Sequence, residues 1–94
     1  MADKNAPVYA ISVAAQMASM EIQNLRVYER RGLVSPARTP GGTRLYSTKD
    51  VTRLVRIGEL LAEGLNLAGI AQVLELEASV ARLRATNARL SRSR

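Results

Sequence analysis

The sequence predicts a mainly α-helical domain with a winged helix-turn-helix, in which two short helices precede a short β-hairpin. Three observations predict this fold: two helix signals close together near the start, a Pro-Gly-Gly turn flanked by arginines, and leucine-rich helical patterns in the second half. The chain has 94 residues, which is enough for one domain. A domain of this size buries a modest share of its surface, so it gains stability from a partner subunit.

The first two helices are predicted in the first third of the chain. Ser12 is a favourable N-cap for the first helix. A second helix is expected from Glu21 to about Arg31, because Gly32 is typical of the position just beyond a helix C-terminus. Two helices separated by three or four residues outline a helix-turn-helix. On this pattern alone, an ordinary helical hairpin is the alternative.

The next segment favours the helix-turn-helix. It contains Pro40-Gly41-Gly42, a turn cluster whose flanking residues can pair as two very short strands. Such a hairpin carries Arg38 on one limb and Arg44 with Tyr46 on the other. A simple surface turn has no need for two arginines and a tyrosine around a double glycine. The hairpin is therefore interpreted as a cationic wing.

Two further helices are predicted after the hairpin. Ser47 is expected to cap the third helix, and Asp50 three residues later completes a start that resembles a capping box. Gly64 ends this helix, and Asn66 is expected to cap a fourth, shorter one. Apolar residues at three- and four-residue spacing are predicted to turn the third helix towards the core, and they are Val51, Leu54, Val55, Gly58 and Leu61.

The last part of the chain carries a heptad pattern. Its apolar positions alternate steps of four and three residues, which is typical of a coiled coil, and the seam consists of Leu76, Val80, Leu83, Asn87 and Leu90. Asn87 costs stability there but can fix register and partner number. Because two heptads are too short to be stable alone, the pattern predicts a dimerisation helix. The alternative is an amphipathic helix that folds back on its own domain.

These signals divide the chain into four segments. Residues 1–8 are expected to be a flexible leader, and residues 9–75 the winged helix-turn-helix domain. Residues 76–90 are the predicted dimerisation helix, and residues 91–94 a disordered basic tail.

The amino-acid composition limits the classes of function that are expected for the chain. The net charge is +6, and the 14 basic residues include only two lysines, Lys4 and Lys49. An arginine-rich basic domain points first to nucleic acid and second to an acidic membrane or protein surface. The chain has no Cys and no His, which excludes disulfides, nearly all zinc sites and the commonest general base. An enzyme is therefore not expected, and no catalytic residue, metal ligand or cofactor is predicted.

The sequence gives no indication of a membrane protein. No apolar run reaches the roughly 20 residues that a membrane span needs, and the N-terminus lacks the apolar core of a signal peptide. A cytoplasmic location without a membrane partner is therefore expected.

Two motifs lie close together in the sequence: LRVYERRGLVSP at Leu25–Pro36, followed by Arg38 with Thr39, and GTRLYS at Gly42–Ser47. Mainly through these motifs, residues 9 to about 76 resemble the DNA-binding domain of MerR-type regulators. This ordered combination is highly specific. Two further runs, Ile11–Gln16 and Asn66–Ile70, resemble the HspR-type heat-shock repressor branch.

The resemblance implies a C-terminal helix that pairs antiparallel with the same helix of a twofold mate. Each subunit of such a homodimer reads half of an inverted repeat in double-stranded promoter DNA, so the expected function is a transcription regulator, specifically a stress or heat-shock repressor. Contact with a DnaK-type chaperone or with RNA polymerase is also implied. The alternative is a DNA-bending accessory protein of the excisionase kind, which shares the winged fold but needs no coiled coil.

The resemblance also assigns candidate DNA-binding residues. Glu21 lies at the exposed start of the second helix, where Gln23 and Asn24 can make paired contacts with base edges. The remaining candidates are expected to hold phosphates or to lie in the wing, and they are Arg26, Tyr28, Arg38, Thr43, Arg44 and Tyr46. For Tyr28 the alternative is packing beneath the wing.

Three positions depart from the family pattern. Val27 stands where a second aromatic residue is common, Ser19 where the turn usually has glycine, and Glu21 where Ser or Thr usually caps the recognition helix. An acid is favourable at a helix N-terminus but repels nearby phosphates. It can also accept a hydrogen bond from a cytosine amino group. The preferred half-site is therefore expected to differ from that of close relatives.

Overall fold

The computed structural model describes residues 3–92, which form four helices and one two-stranded hairpin. The elements follow one another as α1 (Ile11–Met17), α2 (Ile22–Arg30), β1 (Ala37–Arg38), β2 (Arg44–Leu45), α3 (Thr48–Ala62) and α4 (Leu67–Arg92). A mainly helical chain with a short hairpin after its second helix is the predicted fold class, which is thereby confirmed.

The turn between α1 and α2 is built around Ser19. Its φ is 56°, in the left-handed region that residues with a Cβ avoid. The Ser19 N–H donates to the Gln16 carbonyl at 3.2 Å, and the Met20 N–H donates to the Ala15 carbonyl at 2.9 Å. These two bonds form a Schellman motif, in which glycine is the usual left-handed residue. Ser19 thus occupies a strained position.

We expect Ser19→Gly to stabilise the domain by about 0.5–1 kcal/mol, because the relief of left-handed strain exceeds the entropy that glycine adds to the unfolded chain. At fixed protein concentration, Tm should rise by roughly 3–6 °C. Ser12→Gly is the matched control, since Ser12 lies within α1 and glycine is unfavourable there. A lower Tm for Ser19→Gly would contradict the prediction.

The start of α1 differs from the prediction. The helix begins at Ile11 with Ala10 as its N-cap, so Ser12 lies inside the helix and does not cap it. The cap of α3 is as predicted: the Ser47 side chain accepts from the Asp50 N–H, and the Asp50 carboxylate accepts from the Ser47 N–H. This capping box fixes the start of α3 directly after the wing.

The core is mostly aliphatic, with two buried tyrosines, Tyr28 and Tyr46, and is formed mainly by the two short helices, α3 and the first part of α4. The face that α3 turns inwards differs from the predicted one, because Val55 and Leu61 are exposed whereas Ile57 and Leu60 are buried. Gly58 lies beside Met20: a Cβ added at Gly58 would be 3.1 Å from the Met20 Cε. The buried face of α3 therefore consists of Val51, Leu54, Ile57 and Leu60.

The predicted fourth helix and the predicted dimerisation helix are one continuous helix. Asn66 caps it as expected, since its Oδ1 accepts from the Gly69 N–H at 2.8 Å. No glycine or proline occurs between Ile70 and Arg92, so nothing interrupts the helix near residue 76. The helix also includes Ser91 and Arg92, contrary to the expected disordered tail, whose last two residues lie outside the described ones. Neither α4 nor any other helix within residues 3–92 is long and apolar enough to cross a membrane.

The N-terminal segment, which the sequence predicted to be a flexible leader, is hydrogen-bonded to the rest of the domain at Lys4, Val8 and Tyr9. The Val8 and Tyr9 N–H groups both donate to the Tyr46 carbonyl, at 3.1 and 2.9 Å, and the Tyr46 N–H donates to the Tyr9 carbonyl at 2.7 Å. Further along, the Lys49 N–H donates to the Lys4 carbonyl at 2.9 Å. These bonds join the segment to the wing base and to α3; Met1 and Ala2 lie outside the described residues.

Candidate nucleic-acid interface

Helix α2 has one buried and one polar face. Leu25 and Tyr28 pack into the core, whereas Gln23, Arg26 and Arg30 are exposed. The last three are spaced by three and four residues and therefore share a helix face. Arg30 was not among the predicted site residues, although its position four residues after Arg26 was a signal that could have found it.

The N-terminal end of α2 is also accessible. Glu21 is the N-cap residue, but its carboxylate makes no capping hydrogen bond to the helix. Glu21, Gln23 and Asn24 are all exposed, so the structure leaves the predicted base-reading residues open to solvent. A carboxylate and two side-chain amides are therefore available here for base edges.

The wing is a short hairpin with a tight, internally bonded tip. In β1 and β2, Ala37 is paired with Leu45 and Arg38 with Arg44. The Gly42 N–H donates to the Thr39 carbonyl at 2.8 Å, and the φ of Gly42 is 87°, a conformation that glycine adopts readily. The Thr43 N–H donates to the Thr39 hydroxyl at 3.1 Å. Thr43 itself is exposed near the tip.

Glu29 of α2 holds both wing arginines, and sequence reasoning gave it no role. Arg38 and Arg44 lie directly opposite each other, a position where like charges are destabilising. The Glu29 carboxylate accepts from Arg38 Nη2 at 2.9 Å through one oxygen and from Arg44 Nε through the other. It thereby neutralises part of the repulsion. The signal in the sequence was an acid within an otherwise basic stretch.

These contacts shift the ionisation of Glu29. Burial by itself raises the pKa of the carboxyl, but the hydrogen bonds and charges of Arg44 and Arg38 outweigh it, and the pKa is lowered below its ordinary value of 4.5. The hydrogen bond to Glu29 likewise raises the pKa of Arg44.

A pH dependence of stability follows from the lowered pKa of Glu29. The stabilisation is complete above the unfolded pKa near 4.5 and is lost as pH falls through the lower folded value. We expect the Tm of the wild type to exceed that of Glu29→Gln at pH 7. The difference should shrink as pH falls from 5 to 3, because a protonated Glu29 resembles glutamine. Thermal unfolding of both proteins across this range tests it, and a constant difference would argue against the ion pairs.

Two tyrosines predicted to contact DNA belong to the core. Tyr46 is 0% exposed and Tyr28 is 5% exposed, so neither ring lies on the surface of the wing or of α2. The packing alternative stated for Tyr28 is the one that the structure supports. Burial raises the pKa of both phenols. In a chain without Phe or Trp, tyrosine is the only large aromatic residue that can fill the core.

Two arginines of α3 join the elements behind the interface. Arg53 Nε donates to the Leu33 carbonyl, in the segment between α2 and the wing. Arg56 Nη2 donates to Glu77 of α4 at 2.8 Å, and Arg56 Nη1 donates to Glu59 at 3.1 Å. The hydrogen bonds to Glu77 and Glu59 raise the pKa of Arg56. These contacts join α3 to the segment that follows α2 and to α4.

The predicted seam of α4 faces solvent in the single chain. Leu76 and Leu83 are 65% and 64% exposed, and Val80, Asn87 and Leu90 are exposed as well. Four large apolar side chains at heptad spacing thus form an uncovered stripe, as the seam of an unpaired coiled-coil helix would. The structure of the single chain does not fold this helix back on the domain, which was the alternative.

The chain belongs to the MerR HTH family of regulatory proteins, whose family model matches residues 9–77. The matched part runs from the strand-like residue Tyr9 through the helix-turn-helix and the wing to Glu77, within the first half of α4.

Individual relatives agree with this assignment. The chain is 49% identical over 89 residues to the heat shock protein HspR of Streptomyces coelicolor, covering 94% of this chain and 59% of that protein. It is 44% identical over 71 residues to the HTH-type transcriptional regulator GlnR of Bacillus anthracis, covering 76% and 55%. The solved N-terminus of MtaN, the Bacillus subtilis multidrug transporter activator, aligns with a TM-score of 0.66 and 27% identity over 88% of each chain. The chain thus spans somewhat more than half the length of these two curated relatives.

Proposed function

We propose that the chain is a sequence-specific DNA-binding transcription regulator, a stress or heat-shock repressor that binds an inverted repeat in promoter DNA as a homodimer. The observation that carries this proposal is the joint placement of an exposed polar face on α2 and a cationic wing that is bonded to the same helix. Membership of a family of regulatory proteins and the likeness to HspR support it.

Helix α2 is the recognition helix in this proposal. An α-helix with its side chains is about 10–12 Å across, and a major groove about 12 Å wide admits it. Gln23 and Asn24 supply amides for base edges, while Arg26 and Arg30 supply guanidinium groups for guanine or phosphate. Wing contacts to neighbouring phosphates fix the register of the helix without reading sequence.

Helix α4 supplies the dimer contact. Its exposed seam pairs with that of a second copy, and antiparallel alignment sets Leu76 opposite Leu90 with Leu83 near the twofold axis. The charge distribution favours this direction, because Glu75 and Glu77 precede a segment with four arginines and no acid: Arg82, Arg84, Arg89 and Arg92. Antiparallel pairing brings acidic and basic halves together, whereas parallel pairing opposes the two basic halves.

Selection of bound duplexes from a random pool, combined with light scattering, tests the proposal. We expect a dimer, an enriched inverted repeat, and binding at least about 10³-fold tighter than to a scrambled duplex at the same salt concentration. A monomeric protein that bends DNA without enriching a symmetric site would support the excisionase-like alternative. Equal affinity for every duplex would overturn sequence-specific regulation.

Asn24→Ala should relax discrimination at one base position of the half-site. Loss of a bidentate amide contact costs about 1–3 kcal/mol of preference for the correct base, whereas the phosphate contacts are unchanged. The measurement is binding to a set of single-base-pair variants of the selected duplex. Asn5→Ala, at an exposed position in the N-terminal segment, is the control. Unchanged discrimination at every position would refute the role of Asn24 in base reading.

A further inference from the structure

Both wing arginines contact one carboxylate, and they contact it differently. Arg38 gives Glu29 a terminal nitrogen, Nη2, and gives its other terminal nitrogen, Nη1, to the Gly42 carbonyl at 3.0 Å. Arg44 gives Glu29 only Nε. Within residues 3–92, each terminal nitrogen of Arg38 therefore makes one hydrogen bond, to the wing tip or to α2, whereas neither terminal nitrogen of Arg44 has a hydrogen bond.

Exposure and hydrogen bonding lead to opposite expectations for the two arginines. The Arg38 side chain is 47% exposed and that of Arg44 is 27% exposed, so exposure alone favours Arg38 as the DNA contact. A guanidinium binds phosphate best through two parallel N–H groups. Arg44 retains such a pair at its terminal nitrogens, whereas Arg38 already uses one terminal nitrogen for Gly42 of the hairpin and the other for Glu29 of α2. The hydrogen bonding is the better guide, because it determines what each arginine can still donate.

We propose that Glu29 is a positioning residue that gives the two wing arginines different roles. It holds Arg44 by Nε, so that the terminal nitrogens of Arg44 bind a DNA phosphate, and it uses Arg38 to fix the wing to α2. This inference rests on the proposed DNA-binding function and replaces the expectation that Arg38 contacts DNA.

Arg38→Gln and Arg44→Gln are matched variants, because each removes one positive charge from the same hairpin. We expect Arg44→Gln to raise Kd for the selected duplex about 10-fold and to reduce the slope of log K against log salt by about 0.9, as one lost phosphate contact does. Arg38→Gln should raise Kd less than about 3-fold and leave the slope unchanged. Equal loss of slope in both variants, or a loss confined to Arg38→Gln, would overturn this assignment of roles.

Glu29→Gln tests positioning against simple electrostatics. Its control is Glu63→Gln at the exposed C-cap of α3, at the far end of a helix roughly 22 Å long that begins next to the wing. Both variants add one positive charge, so electrostatics alone predicts slightly tighter binding for each. Positioning predicts that Glu29→Gln weakens binding about 5- to 10-fold and lowers the salt slope, measured well below its Tm, while Glu63→Gln does neither.

Binding by Glu29→Gln as tight as by Glu63→Gln would overturn the proposal. The proposal would also be overturned if Arg44→Gln raised Kd by the same factor in the wild-type and Glu29→Gln backgrounds. If Glu29 positions Arg44, loss of Arg44 should matter less once Glu29 has been replaced. Failure of the proposed function is recognised separately, as a wild type without any preferred duplex. The salt slopes on a random duplex then decide the roles of Glu29 and Arg44 in the same way.

Discussion

Leu83→Glu is expected to convert the proposed dimer into a monomer and to raise the Kd for the selected duplex at least about 100-fold. Leu83 is 64% exposed in the single chain and lies near the axis of the proposed antiparallel pair. Each copy would bring a carboxylate into an apolar seam. An uncompensated buried charge costs about 3–5 kcal/mol, which exceeds what two heptads can supply.

The matched control is Ala85→Glu. Ala85 is exposed on the same helix but two residues along, on the side away from the seam, so this variant carries the same charge without entering the interface. Light scattering at micromolar concentration should find a monomer for Leu83→Glu and a dimer for Ala85→Glu, with both proteins equally helical. A dimeric Leu83→Glu protein would mean that another surface makes the dimer.

The second large expected effect is on stability, at Tyr46, where two substitutions should change the free energy of unfolding in opposite directions. Its ring is completely buried, and its hydroxyl has no hydrogen-bond partner within residues 3–92. A buried hydroxyl without a partner costs about 1–3 kcal/mol, whereas loss of a buried aromatic ring costs about 3–5 kcal/mol. We therefore expect Tyr46→Phe to stabilise the domain by about 1 kcal/mol and Tyr46→Ala to destabilise it by about 3–5 kcal/mol.

Denaturant unfolding at one protein concentration measures both changes. The DNA affinity of Tyr46→Phe is a separate measurement. If the Tyr46 hydroxyl contacted a phosphate, its removal would raise the Kd. We expect the Kd of Tyr46→Phe to equal that of the wild type. A clear loss of affinity together with unchanged stability would return Tyr46 to the DNA interface, as the sequence had suggested.

Features governed by local chemistry were predictable from the sequence. Ser47 with Asp50, Asn66 and Gly64 mark helix ends through bonds within a few residues, so the identities of these residues nearly determine the geometry. The wing was equally predictable, because Pro40-Gly41-Gly42 favours a tight turn whatever surrounds it. The order of the first three helices and the hairpin could therefore be predicted without tertiary information, although the start of α1 and the continuity of α4 could not.

Features decided by packing between distant segments were not predictable. Glu29 and Arg44 are 15 residues apart, and nothing in their spacing shows that a hairpin folds back on the helix. Whether the Tyr46 side chain faces the core or the solvent likewise depends on the pairing of Tyr46 with Tyr9. On α3, both Val55 and Ile57 fit a helical stripe, and only the approach of neighbouring elements selects Ile57. Burial, rather than residue type, separates core from interface at these positions.

The uninterrupted course of α4 has a torsional consequence. Leu74, which belongs to the core, and Leu76, which begins the seam, lie on the same unbroken helix. Each residue added or removed between them would turn the seam by about 100° around the helix axis. The two recognition helices of a dimer would then point in directions that no single face of a duplex can accept, even with every contact residue intact. In the proposed dimer, the number of residues between Leu74 and Leu76 would thus set the angle between the two DNA-binding domains.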